Sequence, residues 1–108
     1  MKKSKRITIG ITGSSGFLGS AVAAHFRDKG EKVIPLDRQV YPLSRKARAP
    51  VPRTLDWVLH FGATKSIAAA FADPRRVFRR NVESTRAALQ IAADRTARFV
   101  YMSSYVYG

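Results

Sequence analysis

The stretch RITIGITGSSGFLG, residues 6–19, decides the fold. Its first part, Arg6 to Thr12, alternates and is rich in β-branched side chains, which is the pattern of a strand. Glycines follow at 13, 16 and 19. From Phe17 to about Lys29 the pattern turns helical, with Leu18, Val22 and Phe26 recurring every fourth residue as the expected buried stripe. A strand that passes through a glycine-rich turn into a helix points free backbone N–H groups at one place, where the helix dipole adds positive potential. Such a turn suits an anion. In this reading Gly13 permits the tight turn, Gly16 lets a phosphate group approach the backbone, and Gly19 lets the helix pack close to the sheet. A glycine-rich turn without a ligand is the competing reading of the same residues.

Working outward, Gly30 is a helix stop, and Lys32 to Leu36 reads as a second strand closed by Asp37. The span 38–54 contains Pro42, Pro50 and Pro52, has no sustained period and reads as an irregular loop. Trp57 to Gly62 is a third strand, apolar enough to be buried on both faces. After a short helical turn from Ser66 to Phe71, Asp73-Pro74 has the chemistry of a helix start: a capping carboxylate, then Pro at the first helical position. That helix is expected to run to about Asp94 and to bury Phe78, Val82, Thr85, Leu89 and Ala92. Arg98 to Met102 is a fourth strand with Ser103 and Ser104 at its carboxyl end. Strands alternating with helices imply an α/β fold: a Rossmann-type parallel sheet with flanking helices, truncated at about four strands, in one domain. Ligands of such sheets bind beyond the carboxyl ends of the strands, which here means Gly13 to Gly19, Asp37, Phe61 to Lys65, and Ser103.

Composition narrows the possibilities. There is no cysteine, so disulfides and thiolate metal sites are excluded, and His25 and His60 match no zinc spacing; no metal site is expected. No segment has the length and apolarity of a membrane span, and the basic N-terminus leads into too short an apolar run for a signal peptide, so the expectation is a cytoplasmic protein without a membrane partner. Twenty Lys and Arg against seven acids give a net charge of +13, a balance that attracts phosphates. The basic residues cluster at Lys2–Arg6, Arg45–Arg53 and Arg75–Arg80 without interleaved aromatics, so nucleic acid is not the expected partner.

Within the expected site, Asp37 can accept hydrogen bonds from the adenosine ribose hydroxyls of a dinucleotide and repels a 2′-phosphate, which favours NAD over NADP. Arg38 beside it can instead grip that phosphate. Ser15, Phe17 and Leu18 complete the glycine loop. Asn81 lies beside the stripe of the long helix, within reach of backbone or cofactor, and Lys65 is either a phosphate contact or a solvated loop lysine. Ser103 can hydrogen-bond a substrate oxygen or simply end a strand. His60, inside an apolar strand, reads as a satisfied core histidine.

Five ordered motifs resemble the NAD-dependent epimerase/dehydratase family of extended short-chain dehydrogenase/reductases. They are Thr12 to Gly19 (TGxxGxxG); Asp37; Asp56 to Ala63 (similar to D-x-V-I-H-x-A-A); Asp73-Pro74 with Asn81 to Thr85 (similar to D-P … N-V-x-G-T); and Arg98 to Gly108 (similar to a strand ending S-S-x-x-V-Y-G). The run His60 to Lys65 looks most like the UDP-galactose 4-epimerase branch. The resemblance implies cofactor contacts from Phe61, Gly62, Ala63, Lys65 and Asn81, a Ser103 hydroxyl on the reacting sugar oxygen, and a nucleotide-sugar substrate. It implies hydride transfer at a sugar carbon, a tyrosine base tuned by a lysine, and allows a homodimer in a full-length form. Two departures follow. No tyrosine has a lysine four residues later, and the loop 38–54 replaces a helix–strand unit of the family. The chain is therefore expected to be a fragment or a degenerate relative, inactive alone. Its alternative role is to bind NAD or another nucleotide without turnover.

Overall fold

A computed structural model describes residues 5–40, 51–62 and 67–102. The element order is β1 (Thr8–Thr12), α1 (Phe17–Asp28), β2 (Lys32–Pro35), α2 (Asp37–Val40), β3 (Trp57–His60), α3 (Ile67–Ala72), α4 (Pro74–Asp94) and β4 (Arg98–Tyr101). The four strands form one parallel sheet in the order β2-β1-β3-β4. This is the Rossmann-type arrangement expected from the alternating pattern. The span read as irregular loop begins differently: its first residues, through Val40, belong to the short helix α2, whereas 51–54 carry neither helix nor strand. Residues 41–50 lie outside the described set.

Side chains alternate across the strands and build a core on each face. On one face Ile9, Ile11, Leu59 and Phe61 close around Ala23 of α1, with Val22 and Phe26 at the edge. On the other, Val58, Leu36, Val40 and Leu55 pack with Ala88 and Ala92 of α4. At the opposite end of the sheet from the glycine turn, the Asp56 carboxylate accepts from Thr8 N at 2.7 Å, and the Asp56 backbone bonds both Thr8 and Arg98. That residue therefore ties β1 and β4 to the start of β3.

Two expected stripes are rotated. In α1 the buried residues are Gly19 and Ala23, and Leu18 is left at the surface. In α4 they are Ser84, Ala88 and Ala92, whereas Phe78, Val82 and Leu89 are 72%, 47% and 47% exposed. Thr85 is half-buried, and only Ala92 of the five expected residues is fully covered. The reason is distance. Small residues let a helix lie close on a sheet that is already covered with Val and Leu, so the close-packed line outranks the more hydrophobic one beside it.

The ends of both long helices are defined locally. Asp73 caps α4 by accepting from Arg76 N at 3.1 Å, and Pro74 opens it. α1 ends in a paired turn, Gly30 N to Arg27 O and Glu31 N to Phe26 O, with Gly30 at φ +85°. α4 ends in the same turn, Thr96 N to Ala93 O and Ala97 N to Ala92 O, but Thr96 takes the left-handed position at φ 54°.

Left-handed backbone costs a β-branched residue roughly 1–2 kcal/mol, and glycine gives back roughly 0.5–1 kcal/mol through its freer unfolded chain. Thr96→Gly is therefore expected to raise stability by about 0.5–1 kcal/mol, read as a higher melting temperature; a lower one refutes this. The exposed Phe71, Phe78, Val82 and Leu89, with Val100, Tyr101 and Met102 near the β4 edge, are expected to make the 108-residue chain self-associate as concentration rises. Sedimentation velocity showing a single monomeric species across the range refutes that expectation.

Candidate dinucleotide site

β1 and β3 end side by side, Thr12 opposite His60, and the chain leaving β1 must turn at once over the end of β3. Gly13 makes that turn at φ +69°. A Cβ there would lie 2.8 Å from the Gly62 nitrogen and 2.9 Å from the Phe61 carbonyl carbon, closer than real contacts allow. A Cβ on Gly19 would collide with the Gly13 carbonyl oxygen. Gly19 therefore lets α1 rest on the turn itself rather than on the sheet. Gly16 differs from both. Its backbone is extended, and among the described residues, its chain neighbours aside, only the Gly13 oxygen comes within 4 Å of an added Cβ, at 3.3 Å. What Gly16 keeps open is the space in front of the helix.

That space faces the start of α1. Gly16 is the N-cap and offers no side-chain hydrogen bond, and the first turn carries no acid. The opening N–H groups of a helix have no partner within it, and among the described residues no side chain caps them. Ser15, Gly16 and Phe17 are exposed, with Phe17 95% so, and Leu18 lies at the surface. A helix start of this kind presents backbone donors to an anion.

Asp37 faces the same turn. Its carboxylate accepts from Gly13 N at 2.5 Å on one oxygen, and from Ser14 Oγ at 2.5 Å and Ser14 N at 3.3 Å on the other. Sequence reasoning placed Asp37 near the ribose but missed that it holds the turn, and it passed over Ser14. A carboxylate has about four acceptor positions, so the group that anchors the turn retains capacity for hydroxyl donors.

The end of β3 contributes through its backbone. Phe61 N donates to Thr12 O at 3.2 Å, and Gly62 N to Thr12 Oγ1 at 2.9 Å. The Phe61 side chain belongs to the core on the α1 side, so its part in the site is its main chain. His60 is the satisfied core histidine expected from its strand. Its Nδ1 is 2.6 Å from Thr12 Oγ1, its Nε2 2.9 Å from Thr85 Oγ1, and burial holds its pKa below the ordinary value. Asn81 is half-buried on α4 and its carbonyl accepts from the Thr85 hydroxyl at 2.9 Å. The structure thus gathers Gly13, Ser14, Gly16, Gly19, Asp37 and Gly62 into one turn and ties Asn81 to it through Thr85 and His60. Ala63, Lys65 and Ser103, and the Arg38 side chain, lie outside the described residues. Among the described residues no cluster of His, Asp or Glu could hold a metal, and no helix is long and apolar enough to cross a membrane.

The model of the NAD dependent epimerase/dehydratase family matches residues 9–108 of this chain. Among solved structures the chain is similar to a short-chain dehydrogenase/reductase superfamily protein of Agrobacterium tumefaciens with bound NAD. The two share 33% identity and a TM-score of 0.70, over 90% of this chain and 32% of that one. A UDP-glucose 4-epimerase of Thermotoga maritima with UDP-glucose (18% identity, TM-score 0.71, 91% and 38% covered) has the same fold. So has that of Bifidobacterium longum in complex with NAD+ and UDP (23%, 0.70, 94% and 38%). The chain spans between about a third and two fifths of the length of these proteins. Comparison with curated protein sequences finds no match. With the family model matched from β1 to the last residue, on a parallel sheet of the same fold as these structures, the chain belongs to the NAD dependent epimerase/dehydratase family.

Proposed function

We propose that this chain is the cofactor-holding part of an NAD-dependent epimerase/dehydratase that acts on a nucleotide sugar. The observation that carries the proposal is the uncapped N-terminus of α1, kept open by Gly16 and faced by the Asp37 carboxylate. The diphosphate is held by the backbone N–H groups at Phe17 and Leu18, the Gly16 N–H being given to the Gly13 carbonyl, and the adenosine ribose by the remaining acceptor capacity of Asp37. The net charge of +13 adds a favourable long-range field for a dianionic ligand. The same carboxylate repels a 2′-phosphate, so NAD is preferred to NADP. Bound NAD is further supported by its presence in the similar Agrobacterium protein.

When bound, NAD supplies reversible hydride acceptance from a sugar carbon. This chain's own residues do the rest of the proposed work: Lys65, Ala63 and Asn81 contact the cofactor, and Ser103 donates to or accepts from the sugar oxygen. A second reading is nucleotide binding without turnover: neither Tyr41 nor Tyr101 is followed by a lysine four residues later, the spacing in which a lysine tunes a tyrosine base.

Isothermal titration is expected to show binding of NAD and of ADP-ribose, with NADP weaker. Gly16→Val puts a branched side chain where the diphosphate sits and is expected to abolish that binding while the protein still melts cooperatively. Unchanged affinity in this variant refutes the site. Asp37→Asn removes a charge-assisted contact of about 2 kcal/mol, so NAD affinity is expected to fall roughly 30-fold and the preference over NADP to shrink. Incubated with NAD and UDP-glucose, the 108-residue chain is expected to form no UDP-galactose; turnover would overturn the second reading.

A further inference from the structure

Three buried or half-buried side chains join the glycine turn to the long helix, and their proton directions can be worked out from chemistry. The Gly62 amide can only donate, so Thr12 Oγ1 accepts from it. The Asn81 carbonyl can only accept, so the Thr85 hydroxyl proton is committed to it. Thr85 Oγ1 then faces His60 Nε2 as an acceptor, which requires the ring proton to sit on Nε2. A neutral imidazole with Nε2–H has a bare Nδ1, and that nitrogen accepts the one proton Thr12 has to give. With a neutral Nε2–H imidazole, every contact is satisfied by a single, head-to-tail arrangement of protons. Thr12 and His60 are 0% and 2% exposed, and the rings of Phe99 and Tyr101 flank the imidazole, so no bulk water competes for these positions. Burial alone also disfavours the imidazolium, in agreement with the neutral form.

The two ends of the relay are what give it consequence. One is the Gly62 amide, the atom against which Gly13 is packed too tightly for a side chain. The other is the backbone of Asn81, one turn up α4 from Thr85. Thr12 itself immediately precedes Gly13. We propose that Thr12, His60 and Thr85 act as a positioning relay that sets the glycine turn from α4, so that the geometry of the dinucleotide-binding amides depends on a hydroxyl on the far side of the sheet end. None of the three touches the dinucleotide; each acts through the next. The inference rests on the cofactor-holding role above, yet it makes a claim about the ligand-free protein that can be tested separately.

The experiment uses the 108-residue protein labelled with 15N and needs no ligand for its first arm. Imidazole NMR spectra at neutral pH are expected to show His60 as the Nε2–H tautomer; an Nδ1–H tautomer or an imidazolium overturns the relay. In the second arm Thr85→Val keeps the shape and removes the hydroxyl. It is expected to shift the amide signals of Gly13 and Gly62 and to weaken NAD binding about tenfold, the scale of one broken buried hydrogen bond. Thr85→Ser, which keeps the hydroxyl, is expected to hold both readouts close to those of the unmodified protein, and it stands as the test if the valine variant does not fold. Unmoved Gly13 and Gly62 signals in the valine variant, or signals moved equally by serine, overturn the proposal. If the unmodified protein binds no NAD, the cofactor role fails, and the relay stands or falls on the tautomer and the amide shifts.

Discussion

Everything at the ligand end of this molecule depends on how closely three backbones meet at Gly13. The chain leaving β1 must cross the end of β3 and enter α1 within a few residues. It does so with the Cα of Gly13 against Gly62, the Gly13 amide given to Asp37, and the Gly13 carbonyl under Gly19. No side chain fits in either gap. The positive φ of Gly13 is a consequence of that crossing, and glycine is the residue that adopts it without penalty. Once the crossing is made, α1 starts at Gly16 without a side-chain cap, and this is the arrangement that the proposed diphosphate site uses.

A turn packed this closely needs its own polar groups satisfied, and Asp37 meets that need from the end of the neighbouring strand. The carboxylate bonds Gly13 and Ser14 from just beyond the end of β2, so the residue suited to a ribose also keeps the turn from opening. The two uses are compatible because a carboxylate has more acceptor positions than the turn has donors to offer it. In a chain with thirteen more positive than negative charges, one acid placed at the glycine turn is conspicuous. In the proposed function it costs some attraction for the diphosphate, and selectivity against a 2′-phosphate offsets that cost.

The far side of the sheet obeys a different rule. α4 lies on β3 and β4 along Ser84, Ala88 and Ala92, which brings Thr85 within hydrogen-bond reach of His60. Had the helix rolled to bury Phe78, Val82 and Leu89, larger side chains would have held it away from the sheet, and that contact would be lost. Close approach for a buried polar network therefore leaves a row of large apolar side chains on the open side of the helix.

Local sequence was enough to read the four strands with α1, α3 and α4 between them, though not α2, and with them the parallel sheet, the glycine turn, the Asp73-Pro74 start of α4 and the end of α1 at Gly30. Each of these depends on residues within a few positions of one another: alternation, a capping oxygen, a residue without a Cβ. The starting point of Asp37 as a site residue was legible for the same reason, since its place at a strand end is a local fact. What the sequence did not disclose was which line of α4 is buried, the grip of Asp37 on the turn, and the Thr12–His60–Thr85 connection. These contacts join residues 23 to 50 positions apart. Periodicity reports how apolar each helical line is, but burial follows how near the helix can come. Only the assembled sheet, which sets β1 beside β3 and lays α4 over β3 and β4, decides that distance.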